Sequence, residues 1–102
     1  MNNTLQIEQK MDKRTKEVMD ILQEECAEAI VEVSKCRRFG FDSIHYKSGV
    51  KHGTALEMEL GDVLAMIDIL VEQGVLDRDG LEVATENKKL KLQQWSNIYG
   101  KN

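Results

Sequence analysis

The chain has no proline, and its 102 residues include only two cysteines, two phenylalanines, two tyrosines and one tryptophan. Without proline, punctuation falls to glycine, and it concentrates at residues 40–54 and 74–80, so three long segments remain. Cys26 and Cys36, if they share a helix, lie about 15 Å apart along its axis, beyond the roughly 7 Å reach of a disulfide. Nothing points to an oxidising compartment.

An excess of basic charge is missing too: 14 Lys and Arg against 18 Asp and Glu leave a net charge of −4. That balance argues against a nucleic-acid partner, because phosphate-backbone affinity rests on clustered excess lysine and arginine. Residues 1–10 contain no apolar targeting core, and the longest apolar stretches are broken by Asp68 or Glu32 well short of a membrane span. The expectation is a cytoplasmic protein with no membrane partner. Glycine-rich phosphate loops of the G-x-x-x-x-G-K-[ST] or G-x-G-x-x-G kind are absent, and neither cysteine has a histidine partner in a recognisable motif. Any phosphate must then be held by metal and lysines.

What is present is a foldable composition, 41% apolar and 31% charged. The length implies one domain over residues 1–102, with 1–11 as a flexible lead or a short extra element. So short a chain has a small core, which makes a partner subunit a natural complement.

The first segment, Asp12 to Phe39, carries Val18, Ile21, Leu22, Ala29, Ile30 and Val33 at helical spacing and stops at Gly40. A second helix opens at Thr54, with Glu57 completing a capping box; Leu56, Leu60, Val63, Leu64, Ile67, Leu70 and Val71 follow, and Gly74 ends it. The third starts near Asp77 or Asp79 and runs through Leu81, Ala84, Leu92 and Trp95 to about Ile98, before Gly100. No strand alternation competes, so the fold class is all-α. Long antiparallel helices would form a bundle of four or more, completed by a homodimer or homotetramer, because the apolar columns of the second helix exceed what one neighbour covers. Between the first two helices, Phe41 to Gly53 lacks a period.

Carboxylates stand where apolar residues belong. Glu25 falls seven residues after Val18 and Glu28 seven after Ile21; Glu59 falls seven before Met66 and Asp62 seven before Ile69. Each pair has i, i+3 spacing, which puts its side chains together. Four carboxylates converging in a bundle repel one another and take up protons unless a cation compensates, and all-oxygen ligation suits Mg²⁺, with Mn²⁺ as a substitute. In the alternative reading the stripes are wide and the acids at their edges pair with lysines; periodicity leaves both open. A di-iron centre would need Glu-x-x-His on facing helices, whereas His45 and His52 lie in the loop and are read as solvated.

Glu24-Glu25-Cys26-Ala27-Glu28 followed by Glu59-Leu60-Gly61-Asp62 resembles the E-E-x-x-E and E-x-x-D signature of MazG-like all-α nucleoside triphosphate pyrophosphohydrolases. Ser34-Lys35-Cys36-Arg37-Arg38-Phe39-Gly40 and Lys88-Lys89-Leu90-Lys91-Leu92-Gln93-Gln94-Trp95 extend the likeness to small, often phage-encoded members, over residues 15–96. Two departures are a long interval between Glu28 and Glu59 and a leading helix that is short or missing.

The resemblance implies Mg²⁺-dependent hydrolysis of a nucleoside triphosphate to the monophosphate and pyrophosphate, by water attack at the α phosphorus. It makes Glu25, Glu28, Glu59 and Asp62 the metal ligands and Glu24 and Glu25 the catalytic groups, with Glu24 at a position that binds a further ion or helps deprotonate water. Lys35, seven residues after Glu28, and Arg38 one turn further would bind phosphate; Lys88 and Lys91 share a face of the last helix and would either close the phosphate site or form a solvated basic stripe near a helix C-terminus. Phe39, Phe41 and Tyr46 are candidates for base stacking or for sealing the core, and Trp95 for a bundle or subunit contact. A noncatalytic helical module that senses nucleotide or binds protein, or a relative acting on guanosine tetraphosphate, stays open as an alternative.

Overall fold

The computed structural model describes residues 11–100; the expectation for the lead segment falls almost wholly outside them. The described chain is all-helical: α1 spans Lys13–Phe39, α2 His52–Glu72 and α3 Arg78–Trp95. Among the described residues there is no strand, only an isolated antiparallel bridge between Ile44 and Lys51, and no helix is long and apolar enough to cross a membrane. The described residues fall into two compact units, the first ending at Leu70 and the second running from Val71.

In the first unit, Asp12 caps α1: its carboxylate accepts from Thr15 N–H at 2.7 Å, which satisfies one orphan donor and holds the acid below its ordinary range. At the far end Gly40 takes φ 91°, a conformation that favours glycine, and donates to the Cys36 carbonyl at 2.8 Å. Arg37 and Arg38 lie in the last turn, where positive charge complements the helix dipole.

The connection to α2 is built, not free. His45 N–H donates to Val50 O and Gly49 N–H to His45 O, both at 2.9 Å, while His45 Nδ1 accepts from Lys47 and Ser48 N–H at 3.2 and 3.3 Å. This loop moves the start of α2. The spacing places the start at Thr54 with a capping box, but the helix begins at His52 and Ala55 N–H already bonds to Lys51 O. The physical reason is that the loop backbone does the capping. Ser43 O accepts from His52 N–H and Phe41 O from Gly53 N–H, so two orphan donors need no side-chain cap. A Cβ at Gly53 would meet Phe41 O at 3.1 Å and Phe41 Cβ at 3.2 Å, so a side chain here would push this crossing apart by a few tenths of an ångström.

Helix α1 turns a seven-residue seam inward: Thr15, Val18, Leu22, Glu25, Ala29, Glu32 and Cys36 are all buried or half-buried. On α2 the matching seam is His52, Leu56, Glu59, Val63, Met66 and Leu70. Alternating steps of three and four keep each row on one side of its helix. Phe39 meets His52, Glu32 and Ala55 line one cavity, and Glu25 meets Glu59, so the two helices run antiparallel along these seams.

Several residues expected in the core lie outside it. Ile30 is 70% and Leu64 60% exposed, and Val33 and Leu60 are exposed as well. Their positions are one step, about 100°, to one side of the seams, whereas Glu28 and Asp62 lie to the other side. The hairpin therefore has an apolar face and an acidic face. Leu70, 1% exposed, is the best-buried large side chain. Leu70→Ala is expected to cost about 2–5 kcal/mol, a large part of the ~5–15 kcal/mol that holds a domain of this size, whereas Leu64→Ala costs far less in the isolated chain. Urea denaturation of the two variants checks the contrast.

In the second unit, Asp77 caps α3, accepting from Gly80 N–H at 3.0 Å. The helix ends at Trp95, three residues short of the expected Ile98: Ser96 turns extended, its N–H closes on Leu92 O and its hydroxyl accepts from Ile98 N–H. No residue of α3 is fully buried; Leu81 and Leu92 are half-buried, and Ala84 and Trp95 are exposed.

Candidate metal centre

Glu25 reaches the centre because it occupies a seam position of α1, and Glu59 because it occupies one of α2. Asp62 adds a third carboxylate from the exposed edge of α2 one turn later. One oxygen each of Glu25, Glu59 and Asp62 lies within 4.8 Å of the others. Glu28, exposed on the α1 edge of the same face, is close enough for its charge to act on Glu59.

Electrostatics at this point are strained. Glu59 Oε2 is buried and receives no hydrogen-bond donor. Burial, the facing Glu25 carboxyl and the charges of Glu28 and Asp62 push the Glu59 carboxyl up to about 7. Three acids within reach of one another, with an orphaned buried oxygen among them, fit a hard divalent cation, which needs oxygen donors and negative charge.

The other residues singled out by sequence are placed as follows. Glu24 is exposed, one helical turn before Glu28, and is not among the three that converge. Lys35 lies seven residues beyond Glu28 and makes an ion pair with Glu32 at 3.7 Å. Arg38 lies on the outer side of α1: it lines a cavity of about 370 Å³ with Ile30, Val33 and Ser34, and its guanidinium stands 5.2 Å from the Phe39 ring centroid. The structure does not bring it to the carboxylates. Lys88 and Lys91 are exposed on α3, in the second unit. Cys26 and Cys36 are both free thiols on α1, the first exposed and the second buried.

Two features escape the sequence reading. His52 is 4% exposed, not solvated: its ring stacks on Phe39 at 5.3 Å and meets His45 edge-on at 5.9 Å. Glu32 extends the acidic seam one heptad beyond Glu25 and lines a cavity of about 230 Å³ with Lys35, His45, Ser48, His52 and Ala55. Spacing in sevens carries a signal for both, since His52 stands seven before Glu59 and Glu32 seven after Glu25. Comparisons with protein families, curated proteins and solved structures find no match to the chain.

Proposed function

We propose that the protein is a divalent-metal-dependent nucleoside triphosphate pyrophosphohydrolase, releasing a nucleoside monophosphate and pyrophosphate in the cytoplasm. The observation that carries this reading is the convergence of Glu25, Glu59 and Asp62 around a buried, unpartnered Glu59 oxygen. Such an arrangement is unfavourable for a bare helical module and useful for holding a cation. The order of acids along α1 and α2 also retains the E-E-x-x-E and E-x-x-D resemblance.

Glu25, Glu28, Glu59 and Asp62 would hold Mg²⁺, or Mn²⁺ in its place, which supplies charge compensation for the triphosphate and a lowered pKa for bound water. Glu25 and Glu59, on the seams, fix the depth of the site. Asp62 and Glu28 border it on the solvent side, where a polyanion enters. Glu24, exposed one turn from Glu28, would accept a proton from water at the rim. Lys35 offers the nearest cationic group along the same edge, roughly 10 Å from Glu28, and releasing it from Glu32 frees it for a phosphate oxygen.

The test is product analysis with a panel of nucleoside triphosphates, Mg²⁺ and ¹⁸O-labelled water. Monophosphate carrying the label, with pyrophosphate, is expected. Diphosphate and orthophosphate as the first products would reject the reaction class.

The apolar face of the hairpin supports a homodimer or a dimer of dimers. Met19, Ile30 and Val33 of α1 and Leu60 and Leu64 of α2 are exposed on the side away from the carboxylates. A second copy laid on this face would complete a four-helix bundle and leave the acidic face open. Light scattering at micromolar concentration is expected to give a multiple of 11.7 kDa, and Leu64→Glu to lower it. A parent of monomer mass would reject the assembly.

A further inference from the structure

The acidic seam continues, past Glu32, into a site of different chemistry. Lys35, Phe39, Ser43, Ile44, His45, Tyr46 and His52 line a cavity of about 200 Å³ at the loop end of the hairpin. That is below the ~300–1,000 Å³ typical of whole-ligand pockets, so it suits one flat ring system and not an entire nucleotide. Its walls are planar. Phe39 is half exposed, is held from behind by the buried His52 and has the Arg38 guanidinium 5.2 Å from its centroid; Tyr46 is 85% exposed, stacks on His45 at 5.1 Å and has Lys47 Nζ 5.7 Å from its centroid, so an incoming base displaces or stacks beside these two cations. An exposed aromatic ring held beside a preformed cavity gives up little conformational freedom when a second ring stacks on it. The polar groups at the site are also set in advance. Because His45 Nδ1 accepts two backbone N–H groups, the neutral ring carries its proton on Nε2, a donor, and the Ser43 hydroxyl adds another.

Position connects this cavity to the carboxylates. Lys35 stands seven residues after Glu28, and Ala55 seven before Asp62, so both edges of the groove advance by roughly 10 Å between the acids and the neighbouring cavity that holds Lys35, His45 and His52. The ring cavity shares Lys35, His45 and His52 with that neighbour, so a nucleoside triphosphate with its phosphates at the acids would bring its base toward the rings.

We propose that Phe39, His45 and Tyr46, backed by His52, form the platform that binds the heteroaromatic base of the nucleotide; this rests on the nucleotide reading of the carboxylate site. Stacking on an aromatic side chain contributes about 1–3 kcal/mol per base, so the removal of Tyr46 weakens nucleotide binding by roughly 5- to 150-fold. The same change leaves a base-free polyphosphate with nothing to lose.

The experiment uses the full chain with Mg²⁺ and two probes: the four deoxynucleoside monophosphates, which are not turned over, and inorganic tripolyphosphate, which has no base. NMR of the aromatic and imidazole signals follows the site directly. At least one monophosphate is expected to shift the Phe39, His45 and Tyr46 signals. Tyr46→Ala is expected to weaken that nucleotide by the stated factor while tripolyphosphate affinity changes by less than about twofold. Tyr46 is too exposed for its removal to threaten the fold, and His45→Phe, which keeps a ring, retains part of the affinity. Ring signals that ignore all four monophosphates overturn the proposal, as does an equal loss of tripolyphosphate binding in Tyr46→Ala. A parent that shifts its ring signals yet releases no pyrophosphate from any triphosphate keeps the base platform and rejects the hydrolase.

Discussion

Glu25→Gln, Glu28→Gln, Glu59→Gln and Asp62→Asn are each expected to lower Mg²⁺-dependent hydrolysis by at least roughly 100-fold, since changes even to groups that only support metal ligands cost 10- to 100-fold. Every substitution keeps the side chain's shape and deletes one anionic charge from a cluster whose oxygens lie within 4.8 Å or act on it through space. A neutral amide still offers one carbonyl oxygen, but it no longer offsets the charge of a divalent ion. Calorimetric titration with Mn²⁺ separates the causes, because weakened metal binding must accompany the lost turnover. Glu17→Gln, an exposed acid earlier on α1, serves as the comparison and keeps parental rates. Near-normal turnover in any two of the four variants, with saturating metal, would sink the assignment.

The three helices and the inward turn of Glu25 and Glu59 were legible because a column of apolar residues seven apart fixes which side of a helix is buried, whatever interrupts it. Val18 implies Glu25, and Met66 implies Glu59. The same arithmetic reaches Glu32 and His52, but a histidine beside a loop reads as solvated until the loop is known to fold back over it. That fold-back depends on tertiary pairing: Ser43 O and Phe41 O cap α2, and neither bond leaves a local pattern. Thr54 and Glu57 form a good capping box in sequence, yet backbone carbonyls nine and twelve residues before the donors they serve take its place.

Ile30, Val33, Leu60 and Leu64 illustrate the opposite limit. Hydropathy alone assigns them to the same core as their neighbours, since a wide apolar stripe does not say which half meets the partner helix and which half faces away. Antiparallel pairing along the Glu25 and Glu59 seams decides it, and the result is a hairpin in which these two acids are more buried than Ile30 or Leu64.

The carboxylate cluster also sets how stability responds to pH. In EDTA the protein is expected to be more stable at pH 5 than at pH 8, the reverse of the usual behaviour of carboxylates in ion pairs. The ordinary glutamate value is 4.5, and in the folded chain burial and the neighbouring acids push Glu59 up to about 7. Between those two values the folded state binds more protons than the unfolded state, so the free energy of unfolding falls as pH rises. The favourable contribution is complete below about 4.5 and is lost by the time pH passes through about 7. Asp12 acts with the opposite sign, because its folded value is lowered, but its window lies below the ordinary 3.8 and does not overlap. Added Mg²⁺ at pH 8 replaces the proton as the compensating cation and restores the lost stability. Glu59→Gln removes the titrating group, so its metal-free Tm stays flat across the window and equals or exceeds the parent's at pH 8. Thermal melts at pH 5, 6, 7 and 8 with and without metal measure this. A metal-free parent whose Tm rises from pH 5 to pH 8, or a Glu59→Gln variant that melts well below it at pH 8, would mean that the acids stabilise the fold as ion pairs and that no cation is needed among them.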